Sequence, residues 1–216
     1  MTDLDRLAKD RDAALRLTPV SRETAARLDQ FVALILKWQK AVQLVSAASL
    51  SHLWTRHIAD SLQLLDLVPG AKIWADLGSG GGFPGLVLAI ALKDRPGAQV
   101  HLIESDQRKS AFLREAARAL ALPAMIHVKR IEAVTSAALP GLEVATARAL
   151  APLPGLLALA APLLQNGAKA LFMKGANLDN ELTEATKSWN IRSTIVPSKT
   201  DAEGRILLVD QVLRQN

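Results

Sequence analysis

The run Trp74-Ala75-Asp76-Leu77-Gly78-Ser79-Gly80-Gly81-Gly82-Phe83-Pro84-Gly85 sets an apolar strand pattern, a cluster of glycines and a helix-opening proline in direct succession. Glycines admit positive φ and let a ligand approach backbone amides, and crevices open where the strands of a parallel sheet end. A plain strand-to-helix turn needs one or two glycines, so this cluster reads as a ligand loop. Gly80, Gly82 and Gly85 also fit the dinucleotide pattern G-x-G-x-x-G in one register. Asp76 weighs against it: a carboxylate at the mouth of the loop repels a pyrophosphate and suits a cation. S-adenosylmethionine carries an ammonium and a sulfonium and no phosphate, so Asp76, Gly78 and Gly80 are expected to bind it. The bland alternative for Asp76 is a turn-capping carboxylate.

Other chemistry-bearing residues fall at the ends of further strand patterns. Glu104 is placed to accept both hydroxyls of a ribose, with Asp106 as a second candidate or as a cap for the helix from Gln107. Ile131 and Glu132, after the third strand, are expected beside the adenine. Arg148 and Lys174, ending the fourth and fifth strands, face the same crevice and could bind phosphate or position a substrate. Arg56 and His57 are candidates for RNA contact, against the alternative of a hydrogen-bonded packing histidine. Trp38 and Trp54 could stack on bases, but their helical spacing favours core packing.

The elements that carry these residues alternate. Leu28, Phe31, Val32, Ile35, Trp38, Val42 and Val45 form an amphipathic stripe over residues 21–45, and a second helix is expected over 53–67. Pro69-Gly70 marks a boundary. Beyond it come strands over 72–77, 99–104, 124–129, 143–147 and 168–173, with helices from Pro84 and over 107–120, 153–164 and 179–189. Two closing strands near 191–196 and 205–213 have no room for a helix between them. The expected fold is therefore α/β: a Rossmann-like class I methyltransferase sheet, mostly parallel with an antiparallel C-terminal edge hairpin, preceded by an N-terminal helical segment. Residues 1–70 form that segment and 71–216 the cofactor-binding domain.

Half of the 216 residues are hydrophobic, enough for one substantial core. No window reaches the roughly 18 apolar residues of a membrane span, and the opening lacks a signal-peptide pattern, so a cytoplasmic protein without a membrane partner is expected. A net charge of +5 permits nucleic-acid binding without demanding it. The absence of cysteine removes disulfides, thiolate metal sites and cysteine nucleophiles, and no resident metal is expected.

Over nearly its whole length the sequence resembles the RsmG (GidB) family of bacterial ribosomal RNA methyltransferases. The likeness is most specific at Asp76–Gly85, where the Phe83-Pro84-Gly85 ending is one that most methyltransferases lack. Lys37-Trp38 with Lys40-Ala41, and Arg56-His57 with Asp60-Ser61-Leu62, match the family's N-terminal helices. Arg130 with Glu132, Arg148-Ala149 and Lys174-Gly175 match its strand ends. The resemblance implies transfer of a methyl group from S-adenosylmethionine to N7 of a guanine in 16S rRNA near the decoding site, leaving S-adenosylhomocysteine. The substrate is then 16S rRNA or the small ribosomal subunit, and a monomer is expected. The family's cofactor contacts carry over to Gly78, Phe83, Ile131, Glu132 and Arg148. Two places depart from it: Gln43-Leu44-Val45 stands where an Asn-Leu-Thr run is common, and Val87 replaces a second proline.

The chemistry agrees with that implication. Methylation at C5 of a pyrimidine normally needs a thiolate, and exocyclic amines usually need an Asn- or Asp-Pro-Pro-aromatic turn; the sequence has neither. Guanine N7 presents a free lone pair and needs only alignment with the methyl group and exclusion of water, so no catalytic base is expected. The alternatives are a methyltransferase for another RNA position, a protein or a small molecule, a nicotinamide-dependent oxidoreductase using the other glycine register, and an inactive RNA- or partner-binding module.

Overall fold

A computed structural model describes residues 3–164 and 167–215 of the chain. Two helices come first, α1 (Asp3–Leu17) and α2 (Arg22–Trp38). Ser21 caps α2 by accepting the Thr24 N–H. A 3-10 turn (Ala47–His52), a π-helical turn (Trp54–Ala59) and the short helices α3 (Asp60–Leu62) and α4 (Leu64–Leu67) follow. Alternation then sets in with β1 (Ile73–Leu77), α5 (Gly85–Ala91), β2 (Gln99–Ile103), α6 (Gln107–Ala119) and β3 (Ala124–His127). It continues with β4 (Val144–Arg148), α7 (Leu153–Leu164), β5 (Lys169–Lys174) and α8 (Leu178–Ala185), and closes on β6 (Trp189–Pro197) and β7 (Arg205–Arg214).

Among the described residues, seven strands make one sheet in the order β3-β2-β1-β4-β5-β7-β6. The first five pair in parallel, while β7 runs antiparallel to both β5 and β6. This is the mostly parallel sheet with an antiparallel edge hairpin that the alternation predicts. Register decides where the chemistry sits: Leu77 lies opposite Ile103 and Ala147, Ile103 opposite His127, and Arg148 opposite Met173. The glycine loop, Glu104, Ile131, Arg148 and Lys174 thus leave the sheet at one edge. Lys174 also pairs with Arg205, which brings the β6–β7 turn to that edge.

Both faces of the sheet carry cores. On one, Phe31 of α2 meets Phe83 at 5.5 Å and Phe112 of α6 at 6.2 Å between ring centroids. Trp38 packs edge-on against Phe112 and Trp54 is buried, so both indoles pack within the protein. The other face buries Leu156, Leu157 and Ala160 of α7 against β4 and β5. Among the described residues no helix is long and apolar enough to cross a membrane, and no group of three or more His, Asp or Glu is arranged to hold a metal.

Two local readings are corrected and a third is refined. The stripe over 21–45 ends as helix at Trp38; Val42 and Val45 are buried from a loop instead, so their spacing satisfies the core without helical backbone. The helix expected over 53–67 is present, its backbone staying in the αR region at Leu53, Ala59, Asp60 and Gln63 where the π-helical turn, α3 and α4 adjoin. Trp189 opens β6 and does not end α8, which stops at Ala185.

His101 on β2 is buried, with Nδ1 2.9 Å from Nε2 of His127 on β3. Burial, then repulsion from His127, pushes the His101 pKa down from 6.5 to about 4. The folded chain keeps this ring neutral while the unfolded chain takes up a proton below pH 6.5. The contribution of this ring to stability is therefore complete above pH 6.5 and is lost as pH falls toward 4. Urea titrations across this window should show that decline, and His101→Leu should reduce its slope; an unchanged slope would show that the pair does not set it.

Candidate functional site

The glycine loop is built by backbone geometry. Gly78, Gly80 and Gly82 have φ of +73°, +52° and +88°, where side-chain-bearing residues are strained. Gly81 is required by close approach: a Cβ there would lie 2.6 Å from the Leu44 carbonyl oxygen. Four of the loop amides donate within the protein. Those of Gly78 and Ser79 donate to the Ile103 carbonyl, that of Gly82 to the Ser79 carbonyl, and that of Gly80 to Glu104 Oε2 at 2.8 Å.

Asp76 is 1% exposed and does not line the crevice. Its Oδ2 accepts the Gly85 N–H at 3.0 Å and its Oδ1 the Thr146 hydroxyl at 3.3 Å. Burial raises its pKa to about 6 against the hydrogen bonds that favour the charged form. The carboxylate ties β1 to the start of α5 and β4. The discrimination against a pyrophosphate argued from its charge thus has another basis: several loop amides that would cradle one already donate within the protein.

Glu104 does line the crevice, with Oε1 accepting the Asp106 N–H at 2.7 Å and Oε2 held by Gly80. A carboxylate has about four acceptor sites, so two remain for ligand hydroxyls. Asp106 itself caps α6 by accepting the Arg108 and Lys109 N–H groups. Ile131 and Glu132 lie in a 3-10 turn after β3 and line the same crevice, as do Gly78, Gly80, Phe83 and Arg148. Of the eight cofactor-binding candidates, seven share this crevice of about 570 Å³, and Asp76 lies beneath it.

A second cavity of about 890 Å³ adjoins the first, sharing Leu44, Arg148 and Ala149. Arg56, His57, Arg148 and Lys174, the four candidates for RNA contact, all line it. Arg148 is the hub. Its guanidinium donates to the Arg56 carbonyl at 2.9 Å and to His57 Nδ1, pairs with Asp60 at 3.6 Å and lies 5.4 Å from the centre of the Phe83 ring. Since Nδ1 accepts, His57 carries its proton on Nε2, and burial followed by the Arg148 and Arg56 charges lowers its pKa to about 3. Its ring also packs on Phe83 at 4.8 Å. The π-helical turn brings His57 and the Arg56 carbonyl onto one cation.

Lys174 is committed elsewhere as well: Nζ pairs with Glu181 at 2.5 Å and donates to the Ala151 carbonyl at 3.1 Å. Sequence reasoning missed the rest of the second cavity. Asp60 Oδ1 accepts from Thr200 at 2.8 Å and Ser198 at 3.3 Å, which fastens the β6–β7 turn to the N-terminal helices. Asp60 was visible only as part of the Asp60-Ser61-Leu62 match, and nothing in the sequence pairs it with a turn so far along the chain.

Comparison with known proteins bears on this site. The sequence pattern of the GidB family, described as rRNA small subunit methyltransferase G, matches residues 24–207. Ribosomal RNA small subunit methyltransferase G of Bradyrhizobium sp. strain BTAi1 is 55% identical over 97% of this chain and 95% of its own length. The protein of the same name from Methylobacterium nodulans is 52% identical over 96% of this chain and 98% of its own. Among solved structures, the O-methyltransferase TomG from Streptomyces achromogenes in complex with SAM superposes with a TM-score of 0.58 at 15% identity, over 98% of this chain and 99% of that one. At that identity the likeness is one of fold.

Proposed function

The chain belongs to the GidB family of rRNA small subunit methyltransferases, and from that premise we propose that it transfers a methyl group from S-adenosylmethionine to N7 of a guanine in 16S rRNA near the decoding site. The observation that carries this reading is the pair of adjoining cavities that share Arg148, Ala149 and Leu44. The crevice suits the cofactor: Gly78 and Gly80 present backbone, Glu104 keeps acceptor sites for the ribose, and Ile131, Glu132 and Phe83 line the remainder. The second cavity suits a nucleobase with its phosphates, with Arg56, His57, Arg148 and Lys174 at its walls. In this reading residues 1–70 are a helical segment that closes the second cavity, residues 71–216 are the cofactor-binding domain, and the enzyme works in the cytoplasm as a monomer.

S-adenosylmethionine, when bound, supplies an electrophilic methyl group on a sulfonium. The chain's own part is to align and desolvate. Asp76 holds the glycine loop between β1 and α5, and Arg148 holds the wall common to both cavities. His57 is unsuited to act as a base, because Nδ1 accepts from Arg148 and the proton sits on Nε2. A reaction without a base is what N7 allows, since its lone pair is free at neutral pH.

The single-turnover rate with enzyme and cofactor saturating should therefore be nearly flat between about pH 7 and 9. A rise of about tenfold per pH unit, with RNA binding unchanged, would point to a hydroxyl or ammonium acceptor instead. Calorimetry with S-adenosylhomocysteine and NAD checks the cofactor: the first should bind and the second should not compete.

A further inference from the structure

Residues 39–46 follow α2 as a loop fastened by side chains. Gln39 Oε1 accepts the N–H groups of Leu44 at 2.8 Å and Val45 at 3.1 Å, and its Nε2 donates to the Val45 carbonyl at 2.7 Å. From α6, Arg108 donates to the Ala41 carbonyl. One glutamine thus supplies three hydrogen bonds that fix both backbone atoms of Val45 and the amide of Leu44. The loop rests on the ligand loop so closely that Gly81 has no room for a Cβ beneath the Leu44 carbonyl. The run Gln43-Leu44-Val45, which the hydrophobic stripe places in a helix, is loop.

Leu44 is 8% exposed, yet it lines both the cofactor crevice and the second cavity. Among the described residues Arg148 and Ala149 alone share that property, and they are the end of β4 and the residue after it. Leu44 therefore meets the same junction from the N-terminal segment. It brings an aliphatic surface with no hydrogen-bonding group of its own. A base drawn out of its stack is commonly gripped between apolar side chains, and alignment of a ring nitrogen with a methyl group tolerates little displacement.

We propose that Leu44 packs against the ring of the acceptor nucleobase where the two cavities meet, and that Gln39 is the positioning residue that holds it there. The proposal rests on the methyl-transfer reading. It differs from a merely supporting role for the loop in one respect: a loop that only props up Gly81 would affect cofactor binding first, whereas a wall for the base affects transfer.

The test compares wild type, Leu44→Ala, Leu44→Met and Gln39→Ala by calorimetry with S-adenosylhomocysteine and by single-turnover methylation of small-subunit rRNA. Leu44→Ala should lower the rate by roughly tenfold or more, with S-adenosylhomocysteine affinity held within about threefold of wild type. Leu44→Met, which restores the apolar bulk, should recover most of the lost rate. Gln39→Ala should lower the rate in the same pattern, and it decides the matter if Leu44→Ala fails to fold. A wild-type rate in folded Leu44→Ala or Gln39→Ala overturns the proposal, as does loss of cofactor affinity in step with the rate. A wild-type chain that binds S-adenosylhomocysteine yet labels no RNA overturns the underlying reading, and the proposal with it. Labelled RNA with unaltered variant rates overturns the proposal alone.

Discussion

Arg148→Ala is expected to lower methyl transfer to ribosomal RNA by about 100-fold, as for other buried cations stripped from a hydrogen-bonded charge pair. The guanidinium is mostly buried, with 19% of its side chain exposed, and the paired Asp60 is equally covered at 18%. Truncation takes a donor from the Arg56 carbonyl, His57 and Asp60 together, and removes the cation over Phe83. Asp60 keeps its bonds from Thr200 and Ser198, so the chain should still fold, with a lowered melting temperature. The wall common to both cavities is what is lost. Arg148→Lys should recover little, because one ammonium cannot reach three partners and lie flat over a ring. Lys174→Ala should cost less transfer than Arg148→Ala, since Lys174 lines the second cavity while Arg148 lines both. Rates measured across a salt series, beside melting curves, check this; wild-type transfer in folded Arg148→Ala would remove the hub from the account.

Glu104→Ala is expected to weaken S-adenosylhomocysteine binding by roughly 10- to 100-fold, the worth of hydrogen bonds to a charged group. Two losses combine. The carboxylate no longer accepts ribose hydroxyls, and the amides of Gly80 and Asp106 lose the acceptor that fixes the loop at the crevice. Glu104→Gln keeps one carbonyl oxygen and should fall between the two. Asp76→Ala offers a contrast. It should weaken binding through the loop alone and cost more thermal stability, because Asp76 is buried and joins β1 to α5 and β4. Calorimetry and melting temperature together separate the two acids. Equal melting losses in Asp76→Ala and Glu104→Ala would contradict the division between a carboxylate beneath the crevice and one lining it.

The sheet was legible because its signals are local. Apolar runs of strand length alternate with helical stripes, and the lack of chain between Val196 and Arg205 leaves room only for a hairpin. That parallel order also explains why Glu104, Ile131, Arg148 and Lys174 could be assigned to one edge: each follows or ends a strand, and parallel strands end together. What escaped depends on contacts between distant residues. Asp76 was legible as a carboxylate at a loop, but whether it faces the ligand or the protein is decided by Thr146 on a neighbouring strand. The clamp of Gln39 on Leu44 and Val45 hid behind a spacing that a helix satisfies equally well. The bonds from Thr200 and Ser198 to Asp60 span some 140 residues and leave no periodic trace.

The central claim is tested most directly by incubating the purified chain with small-subunit rRNA from cells lacking this protein and S-adenosylmethionine labelled in its methyl group, then digesting the RNA to nucleosides. The account predicts label in 7-methylguanosine, from a single guanine near the decoding site, and its loss with Arg148→Ala. Label in any other nucleoside, in protein, or nowhere in the presence of bound cofactor would contradict it.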